Sequence, residues 1–159
     1  MDITYNDWVF APYHYTANNC IDFLRKYITP GCSVLDVGTG TGLLALAAKD
    51  LGAGEILATD IDIYAVECAK KNCADTGIIV EQHDLNEDVT QRFDVTVANL
   101  YITQADNYLQ LGGATMKPGG VLILTLRKDI TREHIEEYFS IVEQSNDAEY
   151  ITYVLKQKE

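Results

Sequence analysis

At 159 residues the chain has the length of one ordinary domain, and 47% hydrophobic residues beside 23% charged ones describe a globular fold and exclude a disordered or fibrous one. Twelve basic side chains against twenty-four acidic ones leave a formal charge of −12, which repels phosphate backbones and disfavours nucleic acid while suiting the approach of a basic protein or a small amine. The start lacks the basic end and apolar stretch of a secretion signal, and no segment reaches the ~20 apolar residues of a bilayer-crossing helix, so a cytoplasmic protein without a membrane partner is expected.

From Thr16 the residues Ala17, Ile21, Leu24 and Ile28 recur at helical spacing, and Pro30-Gly31 closes this leading amphipathic helix. CSVLDV then reads as a strand ending in Asp36. Gly38, Gly40 and Gly42 follow at once, and Leu44, Ala47, Ala48 and Leu51 open a new helical stripe that Gly52 and Gly54 end. EILATD is a second strand closing on Asp60, followed by a helix that Asp62 caps and Gly77 stops. IIVEQHD, FDVTVAN and GVLILTLR read as three further strands, with a helix after Ile102 and a start signal, Lys117-Pro118-Gly119-Gly120, before the fifth. Beyond Asp129 a short helix through Tyr138 leads to FSIVEQS and YITYVLKQ, a closing hairpin joined by the turn pair Asn146-Asp147.

Strands alternating with helices imply a parallel sheet covered on both faces, ended here by antiparallel strands. No repeat, low-complexity tract or linker divides the chain. The expectation is a single domain over 1–159, with a lid segment and helix at 1–30 ahead of a core sheet at 31–159. Cys20, Cys32, Cys68 and Cys73 form no CxxC pair and occur in apolar surroundings. They read as small buried thiols, and no metal site is expected.

In an open parallel sheet the ligand crevice lies beyond the carboxyl ends of the strands, where strand order reverses. That places VLDVGTGTG at the site, with glycines at alternate positions letting backbone lie directly against a ligand. GTGLLA, from Gly40 to Ala45, also fits the GxGxxA form of the dinucleotide fingerprint, and Asp60 lies eighteen residues beyond Gly42, near a ribose-binding acid's usual distance. Against a nicotinamide cofactor stand two features. Asp36 would face its pyrophosphate, negative beside negative, and a chain of this length leaves no room for a separate substrate domain. A cationic sulfonium with an attached ammonium group suits the same pocket.

The pattern hxDhGxGxG after a strand, an acid closing the next strand and KPGG before the fifth resemble the class I S-adenosylmethionine-dependent methyltransferases over nearly the whole chain. The resemblance implies their α/β architecture: a Rossmann-like seven-stranded sheet, mostly parallel, with an antiparallel carboxyl-terminal hairpin and helices on both faces. It also implies that Asp36, Gly38, Thr39, Gly40 and Gly42 cradle the cofactor's methionine part. Asp60, with Ile61 beside it, would accept hydrogen bonds from both ribose hydroxyls, and His83-Asp84-Leu85 would border the adenine.

The fourth strand ends at VANLY, where Asn99 can offer a side-chain carbonyl to an acceptor amine and turn the nitrogen lone pair toward the cofactor. This resembles the NPPY-type motif of amide and nucleobase methyltransferases, except that Leu100 replaces the first proline and Tyr101 arrives one position early. It is more similar to the ANIL-type motif of the family that methylates a large-subunit ribosomal protein on amino groups. That family's Gly-Thr-His-Xaa-Thr element resembles Pro12-Tyr13-His14-Tyr15-Thr16 and adds His14 and Thr16 to the cofactor set. The family also carries an amino-terminal recruitment domain, whereas this chain is read as beginning almost directly at the catalytic domain. The expected function is S-adenosylmethionine-dependent methyl transfer to nitrogen, a protein amine foremost, with Asn99 and Tyr101 catalytic and Asn99 counted among the cofactor-binding residues as well. Its alternatives are a nicotinamide-dependent oxidoreductase fragment and a catalytically silent, cofactor-binding partner that regulates another protein.

Overall fold

The computed structural model describes residues 15–84, 90–100, 108–109 and 111–159, and among them seven strands form one sheet. In chain order the elements are α1 (Tyr15–Tyr27), β1 (Val34–Val37), α2 (Leu43–Asp50), β2 (Ile56–Asp60), α3 (Ile63–Asn72), β3 (Ile79–Gln82), β4 (Phe93–Ala98), β5 (Met116–Arg127), α4 (Arg132–Glu136), β6 (Phe139–Asn146) and β7 (Tyr150–Gln157). A single 3-10 turn, Gly112–Thr115, leads into β5.

The strand order is β3-β2-β1-β4-β5-β7-β6. The first five strands are parallel, and β7 enters antiparallel between β5 and β6. This is the Rossmann-like, mostly parallel sheet with an antiparallel end that the sequence implies. The order in which strands are added reverses between β1 and β4, so the two loops leaving those parallel strands diverge from a common point on the carboxyl edge.

Strands covered on both faces are buried along their whole length, and β1 and β4 are so at every position but Asp94, with Asp36 and Thr96 the polar residues among the buried ones. Along β5, Val121 and Ile123 face one cluster together with Ala17, Leu24, Leu44 and Val66 of the first three helices. Leu122, Leu124 and Leu126 face the other, with Tyr108, Leu109, Ile135 and Phe139. Helices therefore cover both faces, as expected. All four cysteines are buried and free, which matches the thiol reading. No helix among the described residues is long and apolar enough to cross a membrane.

Two boundaries differ from the sequence expectation. The helix after Asp60 is capped by Asp62, whose carboxylate accepts from the Tyr64 amide at 2.9 Å, but it ends at Asn72, well before Gly77. Asp75 turns the chain there with a φ of 63°, and the Thr76 hydroxyl donates back to the Cys73 carbonyl. Secondly, Lys117-Pro118-Gly119-Gly120 does not precede β5 but lies inside it. The ladder steps from Phe93↔Met116 to Val95↔Val121, so β5 bulges by several residues where a proline and two glycines could not have kept regular pairing. The predicted helix after Ile102 falls largely outside the described residues.

The amino edge of the sheet is clasped by one side chain. Asp94 Oδ2 accepts from the Ser33 amide (2.8 Å), the Ser33 hydroxyl (3.0 Å) and Lys117 Nζ (3.3 Å), while the Asp94 amide donates to Ser33 Oγ (3.0 Å). The Ser33 backbone bond, reinforced by the Ser33 hydroxyl and Lys117, holds the Asp94 carboxyl below its ordinary pKa. Asp94→Ala is expected to cost about 1–2 kcal/mol, a fall in Tm of about 2–8 °C. Because the folded pKa is depressed, the loss should be full at neutral pH and should fade as pH falls below about 4. Melts at pH 7 and pH 3 check this.

Candidate functional site

The sheet brings most of the sequence-derived site residues to one edge. Asp36 lies in β1, paired with Ala58 of β2 and Val97 of β4, and Gly38 to Gly42 form the turn from β1 into α2. Asp60 ends β2 with Ile61 next to it, Asp84 follows β3, and Asn99 follows β4. Helix α1 runs against the strands, since its last turn leads through Ile28 to the start of β1, so fully buried Thr16 lies at the carboxyl edge as well. His14, Leu85 and Tyr101 lie outside the described residues.

The glycine turn is shaped by contacts that a side chain would break. Gly38 has a φ of 70°, and a Cβ there would lie 2.5 Å from Leu100 Cδ2, so the β4 loop closes directly over the β1 loop. Gly42, at φ 90°, would drive a Cβ to 2.9 Å from Cys73 Sγ and 3.5 Å from the Ala69 Cβ. Only glycine meets both demands without strain.

Asp60 braces this turn from the neighbouring strand. Its Oδ2 accepts from the Gly40 amide and its Oδ1 from the Asp62 amide, each at 3.0 Å, while the Thr39 amide donates to the Thr59 carbonyl at 2.9 Å. Each carboxylate oxygen carries two lone pairs, so Asp60 keeps capacity for two more donors. The His83 amide donates to the Asp60 carbonyl and Gln82 Nε2 to the Ile61 carbonyl, which ties the end of β3 to the same corner. Ile61 keeps half of its surface exposed there, an apolar platform at the rim of the crevice.

Asp36 is a buried acid with an incomplete set of partners. The Thr39 hydroxyl donates to its Oδ2 at 2.7 Å, but Oδ1, equally buried, accepts no well-formed hydrogen bond from the described residues. Burial pushes its pKa up to about 7; the Thr39 bond opposes the shift, the negative charge of Asp60 adds to it, and the Ala45 amide draws it back slightly. Two carboxylates thus bound one crevice at the open amino end of α2. Such a set repels phosphate and suits a cation that carries its own hydrogen-bond donors. Among the described residues no group of three or more histidine, cysteine or acidic side chains converges as a metal cage would.

Sequence reasoning did not find two neighbours of the turn. Leu100 entered only as a departure from a motif, yet it roofs Gly38. Asn72, at the end of α3, donates from Nδ2 to the Thr41 carbonyl at 2.8 Å. Nothing in the spacing of Asn72 points to a turn thirty-one positions away; only the seating of the end of α3 against the glycine turn makes the pair.

A family model described as ribosomal protein L11 methyltransferase (PrmA) matches residues 12–158. A relative from Thermotoga petrophila, named ribosomal protein L11 methyltransferase, is 33% identical over 159 residues, which cover 90% of this chain and 57% of that protein. The chain therefore spans just over half the length of such curated relatives. The solved structure of a ribosomal protein L11 methylase from Lactobacillus delbrueckii subsp. bulgaricus superposes with a TM-score of 0.81 at 26% identity, covering 95% of this chain and 82% of that one. A TehB-like SAM-dependent methyltransferase from Corynebacterium glutamicum shares the fold at a TM-score of 0.72 and 15% identity, with 87% of each chain covered. None of these supports the nicotinamide reading or the silent-partner reading. On a match that runs through nearly all of its residues, the chain belongs to the ribosomal protein L11 methyltransferase (PrmA) family.

Proposed function

We propose that the chain is a catalytic domain that binds S-adenosylmethionine and transfers its methyl group to an amino nitrogen of a basic protein in the cytoplasm. The observation that carries the reading is the corner at the β1 and β2 tips, where buried Asp36 and half-buried Asp60 flank a turn with glycine at every second position. Asp36 Oδ1, which accepts no well-formed hydrogen bond from the described residues, would take an ammonium donor, and the spare lone pairs of Asp60 suit a pair of ribose hydroxyls. The names of the relatives, ribosomal protein L11 methyltransferase, support a protein acceptor. The charge of −12 favours a basic one.

Bound at this site, S-adenosylmethionine would supply an electrophilic methyl group on a positively charged sulfur. Asp36, Gly38, Thr39, Gly40 and Gly42 would hold its amino-acid end, Asp60 its ribose, and Ile61, Asp84 and Leu85 the adenine, with His14 and Thr16 closing from the amino-terminal side. Asn99 is half-buried where the β4 loop meets the glycine turn, and its side-chain carbonyl would accept a hydrogen from the incoming amine and fix the direction of the lone pair. Tyr101 would stand beside it. Methyl transfer to a neutral amine asks for alignment and exclusion of water more than for a strong base, and Leu100 over Gly38 supplies an apolar wall for that purpose.

Transfer of a labelled methyl group from S-adenosylmethionine into a cell extract, followed by mass spectrometry of the product, tests the proposal. Incorporation into lysine or an amino terminus of a basic protein is expected, and Asn99→Ala should reduce the rate by about tenfold or more with little change in cofactor affinity. Label found only in nucleic acid, or an undiminished rate in the variant, would remove the amine reading or the role of Asn99 respectively.

A further inference from the structure

We infer that Asn72 is a positioning residue for the cofactor loop: it sets the Thr41-Gly42 peptide from behind, and so sets ligand affinity without touching the ligand. The inference rests on the cofactor reading above and extends it to a side chain on α3.

The loop is held by both ends of one excursion of the chain. At the start of the excursion, Asp60 takes the amide of Gly40 at 3.0 Å; at its end, Asn72 Nδ2 grips the carbonyl of Thr41 at 2.8 Å. These contacts act on consecutive residues of the turn. Thr41 is itself buried, so its carbonyl has little recourse to water if the amide is withdrawn. The same last turn of α3 presses on the next residue, where Cys73 Sγ and Ala69 leave no space for a Cβ on Gly42.

Gly42 also caps α2 without any side-chain hydrogen bond, and its amide donates to the Thr39 carbonyl at 2.9 Å. A glycine has no Cβ to restrict its backbone torsions, so its positive φ must be held by what pins the adjoining peptides. Asn72 supplies that pin on the Thr41 side, as Asp60 does on the Gly40 side. Pre-organising a backbone cradle lowers the ordering cost that binding would otherwise carry, and the effect appears in affinity.

Asn72→Ala removes the donor, and Asn72→Asp keeps the shape while placing an acceptor against the Thr41 carbonyl. Calorimetric titration with S-adenosylhomocysteine should show Kd raised about tenfold in the first variant and more in the second. Urea unfolding should show lowered midpoints in both variants, as the loss of one buried hydrogen bond requires, so Kd and the glycine signals carry the test. In the ligand-free protein, amide NMR signals of Gly40 and Gly42 should shift or broaden in both variants while those of β6 and β7 stay in place. A merely structural Asn72 would lower both unfolding midpoints as well, but leave Kd within about twofold and leave the glycine signals unmoved, and that result overturns the inference. If the unaltered protein fails to bind S-adenosylhomocysteine, the cofactor reading falls and this one with it; if it binds and the variants bind equally well, only the role of Asn72 falls.

Discussion

Asp60→Ala is expected to raise the Kd for S-adenosylhomocysteine by about a hundredfold or more, the largest single effect on binding from any residue of the crevice. Two losses combine. A charged acceptor facing the ribose hydroxyls is worth about 1.5–3 kcal/mol. The same carboxylate also holds the Gly40 and Asp62 amides at 3.0 Å, so its removal frees the glycine turn and the first turn of α3 together. Asp60→Asn should fall between, because one amide oxygen can still accept while the new NH2 group meets a backbone donor. Titration calorimetry on the three proteins, each checked for native circular dichroism, measures the difference. An affinity within threefold of the unaltered protein would take Asp60 out of the site.

The double duty of Asp60 shows where sequence reading stops. An acid at the tip of a second parallel strand is visible as a pattern, because strand and helix periods locate the tip and the next helix begins at Asp62. The same periods expose the two-faced burial of β1, β4 and β5 and place the closing hairpin, so sheet class and crevice were legible. What the patterns could not carry was contact between residues far apart in the chain. The Asn72 to Thr41 bond and the roof of Leu100 over Gly38 depend on how α3 and the β4 loop settle against the turn. Local signals also misled where tertiary pairing overrode them. Lys117-Pro118-Gly119-Gly120 reads as a boundary, yet the pairing of Phe93 with Met116 ahead of it and of Val95 with Val121 after it takes it into β5 as a bulge. Likewise Gly77 looked like a helix stop, but Asp75 had already turned the chain.

Asp36 is where stability and binding should part company. Its folded pKa of about 7 stands above the ordinary 3.8, so between about pH 4 and pH 7 the folded state keeps a proton that the unfolded state has lost. Stability from this group therefore falls as pH rises through that window, and above it the fold carries a buried carboxylate at full cost. The thiols of Cys20 and Cys73, which feel the same charge, are pushed up to about 12 and about 11 by burial and stay neutral throughout. Asp36→Asn removes the ionisation and keeps an acceptor for the Thr39 hydroxyl, though the new NH2 group inherits the place of an oxygen without a partner. At pH 8 the variant should be more stable by about 2 kcal/mol, some 4–8 °C in Tm. At pH 5 the gain should vanish or reverse, since the unaltered Asp36 is then protonated too. Binding should move the opposite way. A cationic ligand favours the carboxylate, so affinity for S-adenosylmethionine should climb with pH to about 7 in the unaltered protein and release protons on binding, whereas in Asp36→Asn it should be weaker and flat. Melts at the two pH values and calorimetry in buffers of different ionisation enthalpy separate the effects. A variant destabilised equally at both pH values would mean that Asp36 is an ordinary well-paired acid, and that the unsatisfied Oδ1 is not held open for a ligand's charge.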